Sequence, residues 1–157
     1  ITFVKSLNKI YNQHGSLGKY FGEKFNTLND QAEVLSTFKA DFFETAFAER
    51  SKKHLPDPLK GSAAKRMCMY FRWMVRKDQN TVDLGIWNDL IPTSKLHLPL
   101  DVHTGNVSRS LGLLQRKQND WKAVSEITSE LILIDPNDPV KFDFALFSLG
   151  VNEGFGK

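Results

Sequence analysis

A carboxylate at the start of a helix, with almost no side chains beside it, is well placed to meet another molecule. Asp101 follows the apolar segment Leu98-Pro99-Leu100 and precedes Val107, Leu111 and Leu114, which fall on one helical face. That pattern makes Asp101 the expected N-cap, its oxygen closing the first turn. Gly105, Ser108 and Gly112 share one angle of the same helix, and all three are small. A bulky partner could therefore approach closely, and Asp101 is a candidate active-site carboxylate. An ordinary N-cap aspartate on a tightly packed helix accounts for the same residues without any chemistry.

A second constellation is cationic. In the expected helix from Ser62 to Lys77, Met67, Phe71, Met74 and Val75 form an apolar face, and Lys65, Arg72 and Arg76 lie within a narrow angle opposite. Arg50, Lys52, Lys53, His54 and Lys60 precede them and Arg66 lies beside Lys65. Such a cluster suits a phosphate backbone, because bound cations displace condensed counterions. The N–H groups near Gly61 and Ser62 are candidates for holding one phosphate. A solvated lysine-rich surface is the plainer account. A third grouping, His97, His103, Asp83 and Asp101, contains metal-ligand residue types but no paired spacing that supports a metal site. His103 reads more simply as a helix-start or phosphate-contacting residue.

The elements that must position these groups read as helices. Phe3, Leu7, Ile10 and Tyr11 recur at helical spacing up to Gly15, and a second helix is expected from Leu17 to Phe25. Asn29 or Asp30 opens a third, expected to run through Ala48; Pro56 and Pro58 mark a loop. Leu84 to Ile91 reads as a short helix, and the helix after Asp101 is expected to end near Gly112. Asn119 or Asp120 starts the next, and Asp138-Pro139 opens the last, ending at Gly150. About seven helices and no convincing alternating strand make an all-α single domain over 1–157.

Bulk composition agrees. The chain has 157 residues, 41% hydrophobic and 25% charged, with 12 phenylalanines and 3 tryptophans to fill a core. The single cysteine, Cys68, excludes an intramolecular disulfide and any all-cysteine cluster, and it reads as inert filling. No apolar run reaches the length of about 18 residues that a membrane span needs, and no signal-peptide layout opens the sequence. The expectation is a cytoplasmic protein with no membrane partner. The net charge of +3 permits an anionic partner without demanding one.

Asp101-Val-His103-x3-Val107-x3-Leu111-Gly112-Leu113 resembles the catalytic-aspartate helix of the helix-hairpin-helix/Gly-Pro-Asp DNA glycosylases, the endonuclease III-like superfamily. Leu59-x-Gly61-x3-Lys65 is similar to the hairpin that precedes that helix, whose lysine is the nucleophile in bifunctional members. Val140 to Gly150 looks like the closing helix. More closely, Lys65-Arg66, Phe71-Arg-Trp-Met-Val-Arg76, Val82-Asp-Leu-Gly-Ile-Trp87 and Pro99-Leu-Asp-Val-His-Thr-Gly105 resemble an uncharacterised bacterial family at the edge of that superfamily, over residues 1–152. Lys60 and Ala63 stand where the hairpin has proline and glycine. Lys65 and Asp101 are 36 positions apart, more than in the superfamily, so residues of about 78–96 are expected to loop out. The early helices of such a fold have no counterpart, and the fold is expected to be incomplete at its N-terminus. No cysteine cluster follows the last helix, so no iron–sulfur cofactor is implied.

The resemblance implies a base-excision glycosylase/lyase acting on damaged duplex DNA, with Lys65 as nucleophile and Asp101 as its acid/base or electrostatic partner. Such an amine attacks the sugar C1′ and forms a Schiff base; it must be neutral at that moment, which nearby cations favour. The expected DNA contacts are Lys60, Gly61, Ser62, Arg66, Arg72, Arg76 and His103. Trp73, Trp87 and Tyr70 are candidate walls for a base taken out of the stack. The alternative is a non-catalytic DNA-binding or interaction module of the same ancestry.

Overall fold

Four helices begin where an oxygen-bearing side chain closes the first turn. Ser16 accepts from the Lys19 N–H at 3.1 Å, Asp30 from Ala32 at 3.2 Å, Asp101 from Thr104 at 2.8 Å and Asp120 from Ala123 at 3.1 Å. The computed structural model describes residues 2–44, 49–78 and 82–152. Among them are seven α-helices: α1 Thr2–His14, α2 Leu17–Thr27, α3 Gln31–Phe42, α4 Lys65–Val75, α5 Val102–Ser110, α6 Trp121–Ile134 and α7 Asp143–Asn152. No β-strand occurs among the described residues; two isolated bridges join Ser62 to Asp120 and Lys77 to Leu84. The protein is all-α. The third helix stops at Phe42, and the expected continuation over 45–48 lies outside the described residues.

One end of the core is aromatic. Phe21 from α2 lies 4.8 Å from Phe38 of α3 and 4.8 Å from Phe71 of α4, with Phe25 at 5.4 Å from Phe71. Such tilted and edge-on contacts add to the burial of large apolar surfaces. Helix α2 approaches Trp87 so closely that a Cβ on Gly18 would stand 2.6 Å from the indole Nε1, so only glycine fits. Val124, Ile127 and Leu131 of α6 build the other end, and α5 packs along α7. That second contact is again backbone-close: a Cβ on Gly150 would meet the His103 Cβ at 3.0 Å.

The segment between α4 and α5 differs from expectation. Leu84 to Ile91 forms turns, not a helix, because the Leu84 and Trp87 N–H groups donate to the Trp73 and Met74 carbonyls at the end of α4, both at 2.7 Å. Gly85, at φ +62°, further breaks helical continuity. Nor does the described part of 78–96 loop out as a whole: Trp87, Ile91 and Leu96 are buried and belong to the core, followed by the buried Leu98 and Leu100. Helix α4 starts three residues later than expected, after Ala64 in the left-handed region at φ +48°, so Lys65 is its first residue.

The small face of α5 is also occupied. A Cβ on Gly105 would meet Arg109 Nη1 at 2.9 Å and Asn119 Oδ1 at 3.1 Å, and Ser108 is fully buried. Gly105 and Ser108 serve packing within the chain, not approach by a partner. Gly112 lies beyond the helix at φ +75°.

Candidate active site

The buried Leu98 and Leu100 anchor the chain just before α5, which fixes where its N-cap points. Asp101 Oδ1 accepts the Thr104 N–H, and Oδ2 accepts from Lys65 Nζ at 3.1 Å. Two residues 36 positions apart are thus in direct contact. The Asp101 side chain is 12% exposed and that of Lys65 43%. Burial opposes charge on Asp101, but the Thr104 N–H and the Lys65 ammonium outweigh it and hold the carboxyl below the usual carboxylate range. Asp101 is therefore a stable anion at neutral pH.

Two hollows flank this pair. An open groove of about 580 Å³ on one side is lined by Lys53, His54, Ser62, Lys65, Arg66 and Met67, at the start of α4. A smaller cavity of about 200 Å³ has Asp101 in its wall. Its apolar lining includes Met69, Trp73, Phe144 and Phe147, and its other polar groups are Arg72 and Asp143. The Arg72 guanidinium lies 4.4 Å from the centre of the Phe144 ring.

Several expected DNA contacts require correction. Arg72 is only 3% exposed: its Nε donates to Asp83 Oδ1 at 3.0 Å and its Nη1 to Asp143. Arg76 donates to Asp138 at 2.8 Å and to Asp83 at 2.9 Å. Both cations are engaged by carboxylates from elsewhere in the chain: on the α4 face opposite its apolar stripe Arg72 is covered, whereas Lys65 stays exposed. The turn amides are engaged too. The Gly61 N–H donates to the Pro58 carbonyl at 2.8 Å and that of Ser62 to the Asp57 carbonyl at 3.2 Å, so neither points at an outside phosphate. Gly61 itself is exposed at φ +89°. Lys60 and Arg66 are exposed. His103 is exposed as well, its ring 5.9 Å from that of Phe147 at the edge of the cavity wall.

Of the expected aromatic walls, Trp73 lines the cavity, whereas Trp87 and Tyr70 pack on one another at 5.4 Å, with Trp87 in the core. The metal grouping does not converge. Asp83 holds two arginines, His97 stacks on Trp121 at 4.9 Å, and no candidate metal cluster occurs among the described residues. Burial pushes the Cys68 thiol up to about 12, which fits an inert core residue. The residues that sequence reasoning missed are Asp143 and its neighbours Phe144 and Phe147. The signal was an acid set between two phenylalanines, Phe142-Asp143-Phe144, where a charge is seldom placed without a partner.

What the scaffold offers for chemistry is an amine held against a carboxylate on an all-α domain. The chain matches, over residues 1–152, the family described as a protein of unknown function, DUF2400, and it belongs to that family. Neither the curated proteins nor the solved structures return a match. Among the described residues no helix is long and apolar enough to cross a membrane.

Proposed function

We propose that this chain is a DNA glycosylase/lyase that acts on damaged or abasic duplex DNA through Lys65. The observation that carries the reading is the 3.1 Å contact between Lys65 Nζ and Asp101 Oδ2, next to a cavity with aromatic walls. In this reading the groove at Lys53, His54 and Arg66 follows the phosphate backbone, and the cavity receives the extruded base. Lys65, having given a proton to water, attacks C1′ as the C1′–N bond breaks and its electron pair leaves with the base (on an abasic site the C1′ oxygen leaves as water), and the Schiff base forms as the sugar ring opens. A carboxyl held low is a poor proton store but a durable anion. Asp101 therefore acts chiefly by stabilising the positive charge that builds on the sugar.

Borohydride trapping tests this. Incubated with duplexes carrying an abasic site or a deaminated, oxidised or alkylated base, the protein is expected to yield a covalent adduct that Lys65→Gln abolishes. If no substrate gives an adduct, the non-catalytic module becomes the function.

Binding itself is expected to be salt-sensitive and largely independent of sequence. Charge reversal at Lys60 or Arg66 should weaken duplex binding alike across sequences and flatten the salt slope by about one unit each. Affinity indifferent to salt would remove DNA as the partner.

A further inference from the structure

Two carboxylates share the small cavity, and their surroundings are opposed. Asp101 is fixed by a backbone N–H and by Lys65. Asp143, in the first turn of α7, is only 5% exposed and bonds to Arg72, a guanidinium that also serves the fully buried Asp83. One cation thus divides itself between two buried acids, and Asp101 adds a third negative charge nearby. The charged groups facing Asp143 are Arg72 from α4, Asp83 from the following turns and Asp101 from the start of α5. Burial pushes the Asp143 carboxyl up to about 6; Arg72 opposes this, while Asp101 and Asp83 reinforce it. Two acids in one site whose environments drive them apart divide naturally into a proton donor and a fixed anion.

We propose that Asp143 is the general acid of this site, protonating a planar heteroaromatic base held in the cavity against Trp73, Phe144 and Phe147, while Lys65 and Asp101 act on the sugar. The inference rests on the glycosylase/lyase reading and adds to it the group that releases the base. At about 200 Å³ the cavity is smaller than the ~300–1,000 Å³ of pockets for drug-sized ligands, so it suits one ring system rather than a whole nucleotide. In the step, Lys65 Nζ forms a bond to C1′ as the C1′–N bond breaks. The electron pair of that bond goes to the base, and the Asp143 proton follows it. Asp143 is left as a carboxylate beside Arg72 and regains its proton from water.

An abasic duplex has no base to release, so the acid matters to only one of two measurable steps. Asp143→Asn is expected to slow base release about 100-fold more than it slows borohydride trapping on an abasic duplex. Trapping by the variant also reports that it is folded. Equal slowing of both steps overturns the role of Asp143 and leaves the lyase reading standing. Failure of the wild-type protein to trap abasic DNA overturns the lyase reading, and this inference with it. A second measurement needs no variant. Wild-type release of a base that departs poorly unless protonated should fall as pH rises through about 6. Release of a base that departs readily as an anion should change far less, and equal pH slopes for the two would overturn the assignment.

Discussion

Replacing Arg72 with methionine is expected to destabilise the fold by about 3–5 kcal/mol at pH 7, measured by urea unfolding. Methionine fills much of the same volume, so the loss comes from charge rather than from a void. It strands Asp83 and Asp143, whose side chains are 0% and 7% exposed, inside the protein. Asp83 keeps Arg76; Asp143 loses the partner it has on α4. The cost should shrink toward pH 5. A carboxyl whose folded pKa already lies near 6 takes up a proton there and no longer needs the cation. Adding Asp83→Asn and Asp143→Asn to Arg72→Met should recover most of the loss, because removing a whole buried ion group costs far less than removing one member. Arg66→Met, on the surface, should stay within about 0.5 kcal/mol. A loss below about 1 kcal/mol for Arg72→Met would mean that the guanidinium does not hold these acids in solution.

The same arginine shows where sequence reading stops. Lys65, Arg72 and Arg76 are spaced as one polar stripe, and spacing carries no information about what lies over it. The groups that cover Arg72 come from Asp83, 11 residues on, and Asp143, 71 residues on. Caps were legible because they are local: Asp30, Asp101 and Asp120 each bond an N–H two or three residues ahead. The turns at 84–91 are hidden from the sequence for the opposite reason. Trp87 and Ile91 suit a helical face, but the N–H groups of Leu84 and Trp87 are taken by carbonyls of α4. The resemblance of their two motifs pairs Lys65 with Asp101, and no property of the 35 residues between them does. From the stretch of about 78–96 expected to loop out, Trp87, Ile91 and Leu96 enter the core, and the two ends still meet. Asp143 carries only a local signal, its place between Phe142 and Phe144, and the packing of α5 along α7 brings it into the same cavity as Asp101.

Asp101→Asn separates the structural role of this residue from the chemical one. Asparagine caps a helix about as well as aspartate, and its Oδ1 can still accept the Thr104 N–H, so α5 should keep its start and stability should change by less than about 1 kcal/mol at pH 7. The negative charge against Lys65 disappears. If that charge stabilises the cationic sugar, adduct formation on an abasic duplex should slow by about 10²–10³-fold. DNA binding should persist, because an anion has been removed from beside the basic groove. The acid limb of stability gives an independent check. Asp101 has a folded pKa below its ordinary value, so its contribution is present above that ordinary value, near pH 4, and is lost as pH falls through the folded one. The asparagine variant should therefore lose less stability than the wild type as pH drops below about 4. Asp101→Ala would mix the two roles by removing the cap as well, at a cost of about 1 kcal/mol. Trapping by Asp101→Asn at the wild-type rate, with the acid limb altered as described, would confine Asp101 to capping α5 and leave Lys65 without its electrostatic partner.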